Sequence, residues 1–494
     1  MAVVLGLDIG TTSTIGILVE TDGAVLALHS APVDLFSDHP GWAEEEPGQW
    51  WANVGTVCRA LLAETGIDPR NIAAVGVAGM VPALVTLDEA GAPVRRSIQQ
   101  SDARTAIEVE ELRQEVDEQD FLRRTGNGIN QQLLAPKLRW LARHEPENFA
   151  RIATVLGSYD FITHRLTGRL CIERNFGLEA GFVDLATHAV ADDLVAHGGI
   201  APSHLPTLRA GHEIVGSITR HAAAHTGLAV GIPVVAGAAD HVASAFAAGI
   251  DAPGAMLIKF GGAGDVLLAT DRPRPDTRLF LDYHLAPGLF MPNGCMAASG
   301  AVLNWFVREF SPDRDHAALD AEAAAIAPGA DGLLLLPYFL GEKTPIHDPH
   351  ARGTLVGLGL HHTRAHVWRA ALEAVCFGFR HHAEVARALG YPVTRIVASD
   401  GGAASQVWMQ IAADVLGQPV QLLGGHPGSC LGAAYVAAMG VGALPDWRQM
   451  GRFVRPAGVM QPCAGAVGAY DQAYDAWREL YARLKPFYPR LARI

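Results

Sequence analysis

The sequence has no excess of basic charge and no long apolar run. Its 494 residues include 38 Lys and Arg against 51 Asp and Glu, a formal net charge of −13. Nucleic-acid binding usually needs a basic footprint, so this balance argues against a nucleic-acid partner. An anionic small ligand remains compatible, because backbone dipoles bind phosphate even against a negative background.

Cysteine is scarce and scattered: there are six, with no Cys-x-x-Cys pair. This disfavours a disulfide scaffold or a zinc site and is typical of a reducing cytoplasm. The first residues, MAVVLGLDIGTTST, lack a basic segment and reach Asp8 too early for a secretory signal. No segment approaches ~18 uncharged apolar residues, so we expect a cytoplasmic protein without a membrane span.

Two nucleotide-binding motifs are also missing. The sequence contains neither GxGxxG at the appropriate place nor GxxxxGK[ST], so neither a Rossmann nor a P-loop interpretation is supported. Glycine itself is abundant, at 53 of 494 residues, against a usual share of about 7%. Without a Gly-X-Y period, the excess indicates turns or close approach of the backbone to a ligand.

The length and the 49% apolar content predict at least two folded domains. Strands are predicted at 2–7 and 15–20 around the turn DIGTTST, and again at 255–260 and 266–270 around GGAGD, so the same meander occurs twice. Helices are predicted at 47–65, 105–124, 135–144 and 366–389. Alternating strands and helices after 390 predict an α/β class. We expect domains at 1–247 and 248–494.

The first candidate site is the turn after the first strand, with Asp8, Gly10, Thr11 and Thr12. Gly10 permits a sharp turn whose N–H groups converge on one anion, and the threonines add hydroxyl donors. A carboxylate beside such a phosphate cradle indicates Mg²⁺, which prefers oxygen ligands. The alternative is an ordinary hairpin turn with local side-chain hydrogen bonds.

Glycine-rich turns occur at two further places. Gly261, Gly262, Ala263 and Gly264 open the second meander, where the alternative is a tight turn without a ligand. The segment Ser399–Ala404 follows a strand and precedes a helix, which is typical of a nucleotide-facing turn.

Asp240 and His241 follow a strand and begin a helical stretch. Asp240 is interpreted either as a helix N-cap or as a general base on a substrate hydroxyl. The histidine pairs 347/350, 361/362 and 381/382 lack neighbouring ligands at a metal-binding spacing, so packing is the favoured interpretation for them.

Together these motifs resemble the FGGY carbohydrate kinases, most closely their xylulokinase-like branch. The resemblance rests on HPGWAEEEPGQWW (39–51), LPYFLGEKTP (336–345), GTLVGLGLHHTRAHVWRAALE (353–373) and APKLRWLARHE (135–145), the last preceded by the atypical Leu134. It implies two ribonuclease-H-like domains of the actin and hexokinase type with a central cleft. It also implies ATP-dependent phosphorylation of a small sugar, such as a pentulose, or of a polyol, with Mg²⁺ as cofactor and a homodimer as the assembly.

The resemblance also implies roles for single residues. Asp240 takes the position of the catalytic base, and Asp8 that of the carboxylate that organises Mg²⁺ through water. The phosphates are assigned to Gly10, Thr11, Thr12, Gly261, Gly262, Ala263 and Gly264, and the rest of the nucleotide to Gly300, Asn304, Gly401, Gly402 and Ala403.

The sugar site departs from the family pattern. Met80-Val81-Pro82 replaces Gln-Met-His, and Gln100-Ser101-Asp102 replaces Trp-Asn-Asp. A changed polar set implies a changed pattern of substrate hydroxyls. The hypothesis is therefore a ketose or polyol other than D-xylulose, at a site formed by Met80, Asp102, Arg104, Gln132, His241 and Asp265.

A second departure concerns the phosphates. Ile15 stands where many family members have a basic residue, and Lys259 is the candidate to supply that charge. Two alternatives to a sugar kinase use the same fold: an actin- or chaperone-like ATPase, and a catalytically weak, regulatory sugar-binding relative.

Overall fold

The computed structural model describes residues 2–491, apart from the side chain of Gln449. The chain forms two compact units. Unit 1 runs to Asp251 and also includes Arg272–Met291 and Pro427–Val454, whereas unit 2 comprises Ala252–Asp271, Pro292–His426 and the residues from Arg455 onward. Two segments from the second half of the sequence therefore belong to unit 1. The domain bounds at 1–247 and 248–494 stay a prediction.

The strands before residue 252 all lie in unit 1. They are β1 (Val3–Ile9), β2 (Ser13–Glu20), β3 (Val25–Pro32), β4 (Glu44–Glu45), β5 (Ile72–Gly79), β6 (Val85–Leu87), β7 (Ser97–Ile98), β8 (Thr154–Leu156), β9 (Ile172–Glu173), β10 (Val183–Asp184), β11 (Ala189–Val190), β12 (Leu208–Arg209), β13 (Ile214–Ser217), β14 (Pro233–Val235) and β15 (Ala238–Ala239). The later strands are β16 (Ala255–Phe260), β17 (Gly264–Leu268), β18 (Phe280–Tyr283), β19 (Phe290–Met296), β20 (Leu334–Leu336), β21 (Thr354–Val356), β22 (Arg395–Ser399), β23 (Val420–Leu423) and β24 (Pro456–Met460).

Helices alternate with these strands in both halves of the chain. The first half contains α1 (Pro47–Thr65), α2 (Ala106–Glu115), α3 (Glu118–Thr125), α4 (Leu134–His144), α5 (Pro146–Ala150), α6 (Ser158–Thr167), α7 (Arg174–Glu179), α8 (Asp192–Ala196), α9 (Arg220–Thr226) and α10 (Asp240–Ala247). The second half contains α11 (Gly300–Phe310), α12 (His316–Ala324), α13 (Arg364–Ala388), α14 (Gln406–Leu416), α15 (Ser429–Gly440), α16 (Ala464–Leu484) and α17 (Tyr488–Leu491).

The main sheet of unit 1 is mixed and has the strand order β13-β14-β5-β1-β2-β3, with β15 also pairing β5. The strand β1 is antiparallel to β2 and parallel to β5. Every residue of β1 (VVLGLDI) is buried, which explains its near-continuous apolar run. Helix α15 packs against β1 and β5.

Unit 2 repeats this arrangement, with β17, β16, β22, β23 and β24 as neighbours in that order within the second seven-stranded sheet. The strand β16 is antiparallel to β17 and parallel to β22, as β1 is to β2 and β5. The predicted pair of meanders, each built around a glycine-containing turn, is confirmed. The α/β class follows from mixed sheets combined with helices in each unit.

One predicted helix is wrong as a single element. The stretch 105–124 forms two helices, α2 and α3, separated at Val116 and Asp117. Val116 is extended, and the Asp117 carboxylate accepts hydrogen bonds from the N–H groups of Gln119 and Asp120. This N-cap starts a new helix instead of continuing the old one. Separately, no helix among residues 2–491 is long and apolar enough to cross a membrane.

Candidate active site

Three parallel strands of unit 1 end at one edge of its sheet. The central strand β5 is flanked by β1 and β15, and Gly79 pairs with Ile9 on one side and Ala239 on the other. Asp8, Met80 and Asp240 therefore reach the same edge. Neighbouring strands lie about 4.8 Å apart, so the backbones of Asp8 and Asp240 are separated by roughly 10 Å.

The end of β1 and the turn after it carry the side-chain oxygen atoms of Asp8, Thr11 and Thr12. The Gly10 N–H donates to the Ser13 carbonyl at 3.1 Å and closes the turn, while Thr11 and Thr12 are exposed. Asp8 is 7% exposed. Burial raises the pKa of the Cys430 thiol, and the Asp8 carboxylate adds to that rise. A carboxylate and two hydroxyls form an all-oxygen donor set, which fits Mg²⁺ held by Asp8 through water.

Asp240 is the first residue of α10, as the sequence predicts. Its side chain is 35% exposed, and its Oδ1 atom accepts the His241 N–H at 2.6 Å. The rest of α10 is largely apolar and buried, from Val242 to Ala247. A rigid, buried helix therefore holds a carboxylate that is still accessible to a ligand.

His241 connects Asp240 to two further carboxylates. Its Nε2 atom lies 2.8 Å from Asp282 Oδ2 and 3.7 Å from Glu179 Oε1, and its Nδ1 atom lies 3.3 Å from Asp240 Oδ1. Burial alone lowers the pKa of His241, but the carboxylates of Asp282, Asp240 and Glu179 outweigh it and hold the pKa well above its ordinary value. The three carboxylates therefore favour the protonated form of His241.

Metal-ligand geometry among the described residues occurs at Glu179, His241 and Asp282, whose ligand atoms lie within 4.8 Å of one another. The histidine pairs form no such group within that part of the chain. His382, for example, contacts the Gly378 carbonyl and the Thr344 hydroxyl in the core, and burial lowers its pKa to about 4.

Asp102 and Arg104 lie together in a buried ion pair. Asp102 Oδ1 accepts the Arg104 N–H and Nε–H, and Oδ2 accepts Arg104 Nη2 and the Ala43 N–H, at 2.7 to 3.0 Å. These four bonds fill the acceptor positions of the carboxylate. Arg104 also lies over the rings of Trp42 and Trp140. The geometry leaves Asp102 no free oxygen for a sugar hydroxyl.

Lys137 joins the two loops that carry the remaining sugar-site candidates. It is fully buried in α4, and its Nζ atom donates to the carbonyls of Pro82 and Gln99 at 3.3 and 2.9 Å. Met80, which is buried, lies two residues before Pro82. Gln100 comes directly after Gln99 and accepts a hydrogen bond from Gln132 Nε2 at 3.0 Å. Met80, Gln100 and Gln132 are thus brought together.

The nucleotide candidates of unit 2 surround a single cavity of about 530 Å³. Its walls include the apolar side chains of Phe260, Leu303, Trp368 and Trp408, and among its polar side chains are Asn304, His316, Asp320 and Ser405. The predicted residues that line it are Gly261, Gly262, Gly300, Asn304, Gly401 and Gly402. The predicted Ala403 is not part of this lining, in which Ala404 follows Gly402. This volume and mixed lining are typical of a small-molecule site.

Close packing explains the glycines on one wall of this cavity. A Cβ on Gly402 would come within 2.5 Å of Trp408 and 2.9 Å of the Phe260 carbonyl, whereas a Cβ on Gly401 would meet nothing within 4 Å. Gly261 and Gly262 accept the N–H groups at the start of α11, with Gly300 N donating to the Gly261 carbonyl at 2.9 Å. Ala263 and Gly264 continue the same turn into β17.

Asp265 lies beside this turn and is paired with Lys259. The Lys259 Nζ atom is 3.5 Å from Asp265 Oδ2 and 3.9 Å from Asp400 Oδ2. Asp400 has a φ of 72°, a strained conformation for a residue with a side chain. Lys259 therefore lies near the glycine turn at 261–264, and its ammonium group faces the carboxylates of Asp265 and Asp400.

Five residues of these sites escaped the sequence reasoning. Glu179 and Asp282 belong to no local motif, and Asp282 enters unit 1 from a segment more than one hundred residues further along the chain than Glu179. Asp320 and Ser405 line the cavity and bond to each other. Lys137 stands within a quoted motif, and its buried position on an otherwise apolar helix face is the signal that could have marked it.

Comparison with known proteins covers both units. The models for the N- and C-terminal domains of the FGGY family of carbohydrate kinases match residues 3–247 and 257–441. A crystal structure of xylulose kinase from Rhodospirillum rubrum is similar with a TM-score of 0.94 and 52% identity, covering 98% of this chain and 99% of that one.

Two further relatives match over nearly their whole length. Xylulose kinase of Bacillus subtilis (strain 168) is 30% identical over 98% of this chain and 98% of its own. The probable L-xylulose kinase of Pasteurella multocida (strain Pm70) is 28% identical over 97% of this chain and 99% of its own.

The fold and these likenesses define a phosphotransferase built from two α/β domains. The chain belongs to the FGGY family of carbohydrate kinases. It is therefore an enzyme that phosphorylates a sugar with ATP, and neither the ATPase nor the regulatory alternative is favoured.

Proposed function

We propose that Asp240 is the general base that deprotonates the sugar hydroxyl during phosphoryl transfer. The observation that carries this proposal is its position: a partly exposed carboxylate at the first turn of a buried helix, on the same sheet edge as Asp8. A base needs a fixed direction and access to substrate, and the position meets both requirements. Phosphoryl transfer depends mainly on such positioning and on charge stabilisation.

The other residues of the site act on the phosphates. Thr11 and Thr12 donate their hydroxyls to phosphate oxygens, and the N–H groups of the glycine turn at 261–264 do the same in unit 2. Asp8 would hold Mg²⁺, which would supply positive charge to the phosphates when bound. The cavity lined by Asn304, Gly401 and Gly402 receives the adenosine.

We propose a pentulose of the xylulose type as the acceptor. The relatives named xylulose kinase support this class. The hypothesis of a substrate other than D-xylulose assumed that Asp102, Gln132, His241 and Asp265 face the sugar with free polar atoms. Three of them have charged partners within the protein: Arg104 for Asp102, Asp282 for His241 and Lys259 for Asp265.

This pairing changes the proposed roles at the sugar site. Asp102 acts through Arg104, because its own acceptor positions are filled. Gln132 and Gln100 remain the candidates for direct contact with sugar hydroxyls, since each amide has capacity beyond their mutual bond.

The base assignment is tested with Asp240→Asn. The amide cannot take the proton, so kcat should fall by roughly 10²-fold or more while the Kd for ATP changes little. The matched control is Asp192→Asn, at the exposed first residue of α8, which should leave kcat unchanged. Near-normal turnover in the Asp240 variant would remove the assignment.

The substrate proposal is tested by comparing kcat/KM for D-xylulose, L-xylulose, D-ribulose and glycerol. A pentulose should give the highest value, and the pair of xylulose enantiomers decides the stereochemistry. The highest value with glycerol would instead restore the polyol alternative.

Cell location and assembly complete the proposal. The six cysteines are free of disulfide bonds, which supports a reducing compartment and hence the cytoplasm. The homodimer implied by the family resemblance stays a prediction, which light scattering on the purified protein can measure.

A further inference from the structure

Asp320 is the only acidic side chain among the described residues that line the unit 2 cavity. It lies on α12 and is half-buried. Asn304, His316 and Ser405 supply the other polar side chains of this lining. A carboxylate at this place is unexpected, because the nucleotide proposed to bind here has negatively charged phosphates of its own.

Two neutral donors fix the Asp320 carboxylate. Trp368 Nε1–H donates to Oδ1 at 2.7 Å, and the Ser405 hydroxyl donates to Oδ2 at 2.5 Å. Ser405 is held in turn, because its Oγ atom accepts the backbone N–H of Trp408 in the first turn of α14. The carboxylate therefore joins α12 to α13 and α14, and the protein itself sets its orientation.

No lysine, arginine or histidine in the described part of the chain forms an ion pair or a hydrogen bond with Asp320. His316, one turn earlier on α12, packs its ring against Trp368, with the ring centroids 5.5 Å apart. Arg364, at the start of α13, pairs with Glu322 instead. Only neutral dipoles balance the Asp320 charge, so this carboxylate favours a ligand group that donates a hydrogen bond.

We infer that Asp320 determines nucleotide specificity by accepting a hydrogen bond from the nucleoside part of ATP. The adenosine part has three donor groups, which are the adenine amino group and the 2′ and 3′ hydroxyls of the ribose. This inference rests on the proposed adenosine site in the same cavity. It adds a specificity-determining side chain to a site so far defined by its glycines and apolar walls.

The Asp320 carboxylate has the capacity for such a bond. An ionised carboxylate offers about four acceptor positions, and the protein's own donors occupy two of them. Because the group is already held in place, binding orders little that was free before. Repulsion between like charges also gives the nucleotide a direction, with its phosphates at the glycine turn 261–264 and its nucleoside at Asp320.

Three analogues of ATP, each lacking one donor, identify the group that Asp320 binds. They are purine riboside triphosphate, which lacks the amino group, 2′-deoxy-ATP and 3′-deoxy-ATP. With the wild-type enzyme, at least one of them should lower kcat/KM by about 10- to 100-fold relative to ATP. This range corresponds to the loss of a hydrogen bond to a charged group.

Asp320→Ala supplies the other half of the comparison. Its kcat/KM with ATP should fall by a similar factor, whereas the analogue that is poor with wild type should lose little more, because that bond is already absent. A purely structural role would instead lower the values for ATP and the analogues by one common factor. The matched control is Asp315→Ala on the same helix, which removes the N-cap bond to Ala318 N but no group of the cavity. It should keep the wild-type preference for ATP over each analogue.

Two results would overturn the inference: wild-type values for all three analogues within twofold of ATP, or equal losses for ATP and the analogues in Asp320→Ala. Gly401→Ala tests the adenosine site separately. A raised KM for ATP there, together with equal losses in Asp320→Ala, rejects the role of Asp320 alone, whereas a normal KM in both variants rejects the site as well. If Asp320→Ala unfolds, a crystal structure of the wild-type enzyme with ADP decides the matter. An adenosine donor within about 3.2 Å of an Asp320 oxygen supports the inference, and its absence rejects it.

Discussion

Asp102 and Arg104 form a bidentate ion pair with exposed side-chain fractions of 0% and 1%. The same Asp-x-Arg arrangement, with the same three hydrogen bonds from the arginine, occurs at Asp68 and Arg70 on the surface. One local motif is thus present in two environments, which separates the contribution of burial from that of the ion pair itself.

Asp102→Asn should destabilise unit 1. It removes one of two buried carboxylates beside Arg104, which keeps Glu44 at 2.7 Å, so the loss should stay below the roughly 3–5 kcal/mol of a buried charge left without any partner. Urea unfolding measures the loss. Asp68→Asn, which breaks the surface copy, should leave the unfolding midpoint unchanged, because solvent screens an exposed pair. Equal losses in the two variants would contradict a role for burial.

Lys137 should make stability depend on pH. Burial lowers its pKa to about 7, so above pH 7 the folded protein holds a neutral amine while the unfolded chain still binds the proton. The unfolding free energy therefore rises with pH, by about 1.4 kcal/mol per unit, until the ordinary pKa near 10 is reached. In Lys137→Met this pH-dependent contribution to the unfolding free energy is absent. The difference between the two proteins should grow between pH 7 and pH 9, and parallel curves would disprove the buried neutral lysine.

The adjacent glycines 401 and 402 should respond differently to alanine. A methyl group on Gly402 collides with Trp408 and Phe260, so Gly402→Ala should lose about 1–3 kcal/mol of stability. A methyl group on Gly401 meets no protein atom within 4 Å, so Gly401→Ala should stay folded. Because Gly401 lines the cavity, its variant should instead raise the KM for ATP. Normal KM with normal stability in Gly401→Ala would place the nucleotide elsewhere.

Lys259→Ala should raise the KM for ATP by up to about tenfold, which corresponds to ~1.4 kcal/mol. Removal of the ammonium leaves Asp265 and Asp400 without that cation beside the phosphate turn. Lys259→Arg is the matched control and should keep most of the affinity. An unchanged KM in the alanine variant would show that Lys259 does not supply the charge absent at Ile15.

The sequence predicted the elements whose signals are local. The meanders around Asp8 and Gly261, the helix at 47–65 and the helix start at Asp240 all depend on neighbouring residues in the chain, through alternating burial, turn glycines and proline at a helix start. The break between α2 and α3 was missed because charged residues fit a helix on either side of it, and the N-cap by Asp117 outweighed that preference.

The polar partners could not be predicted in the same way. Asp282 is 41 positions and Glu179 is 62 positions away from His241 in the sequence. Only the folded topology brings these residues together. The sequence therefore indicated Asp102, His241 and Asp265 as polar groups near a ligand, but it contained no sign that each has a charged partner within the protein. Pairing decides whether a polar group can bind substrate.

Helix α15 packs on β1 although more than four hundred residues separate them in the chain. Unit 1 is therefore incomplete until the ribosome has made the residues to Val454. At about 5–20 residues per second, the nascent first half waits roughly 10–40 s for the helix that covers its sheet. During that interval the apolar strands depend on chaperones or on transient contacts, so synthesis rate and chaperone supply should limit the yield of folded enzyme.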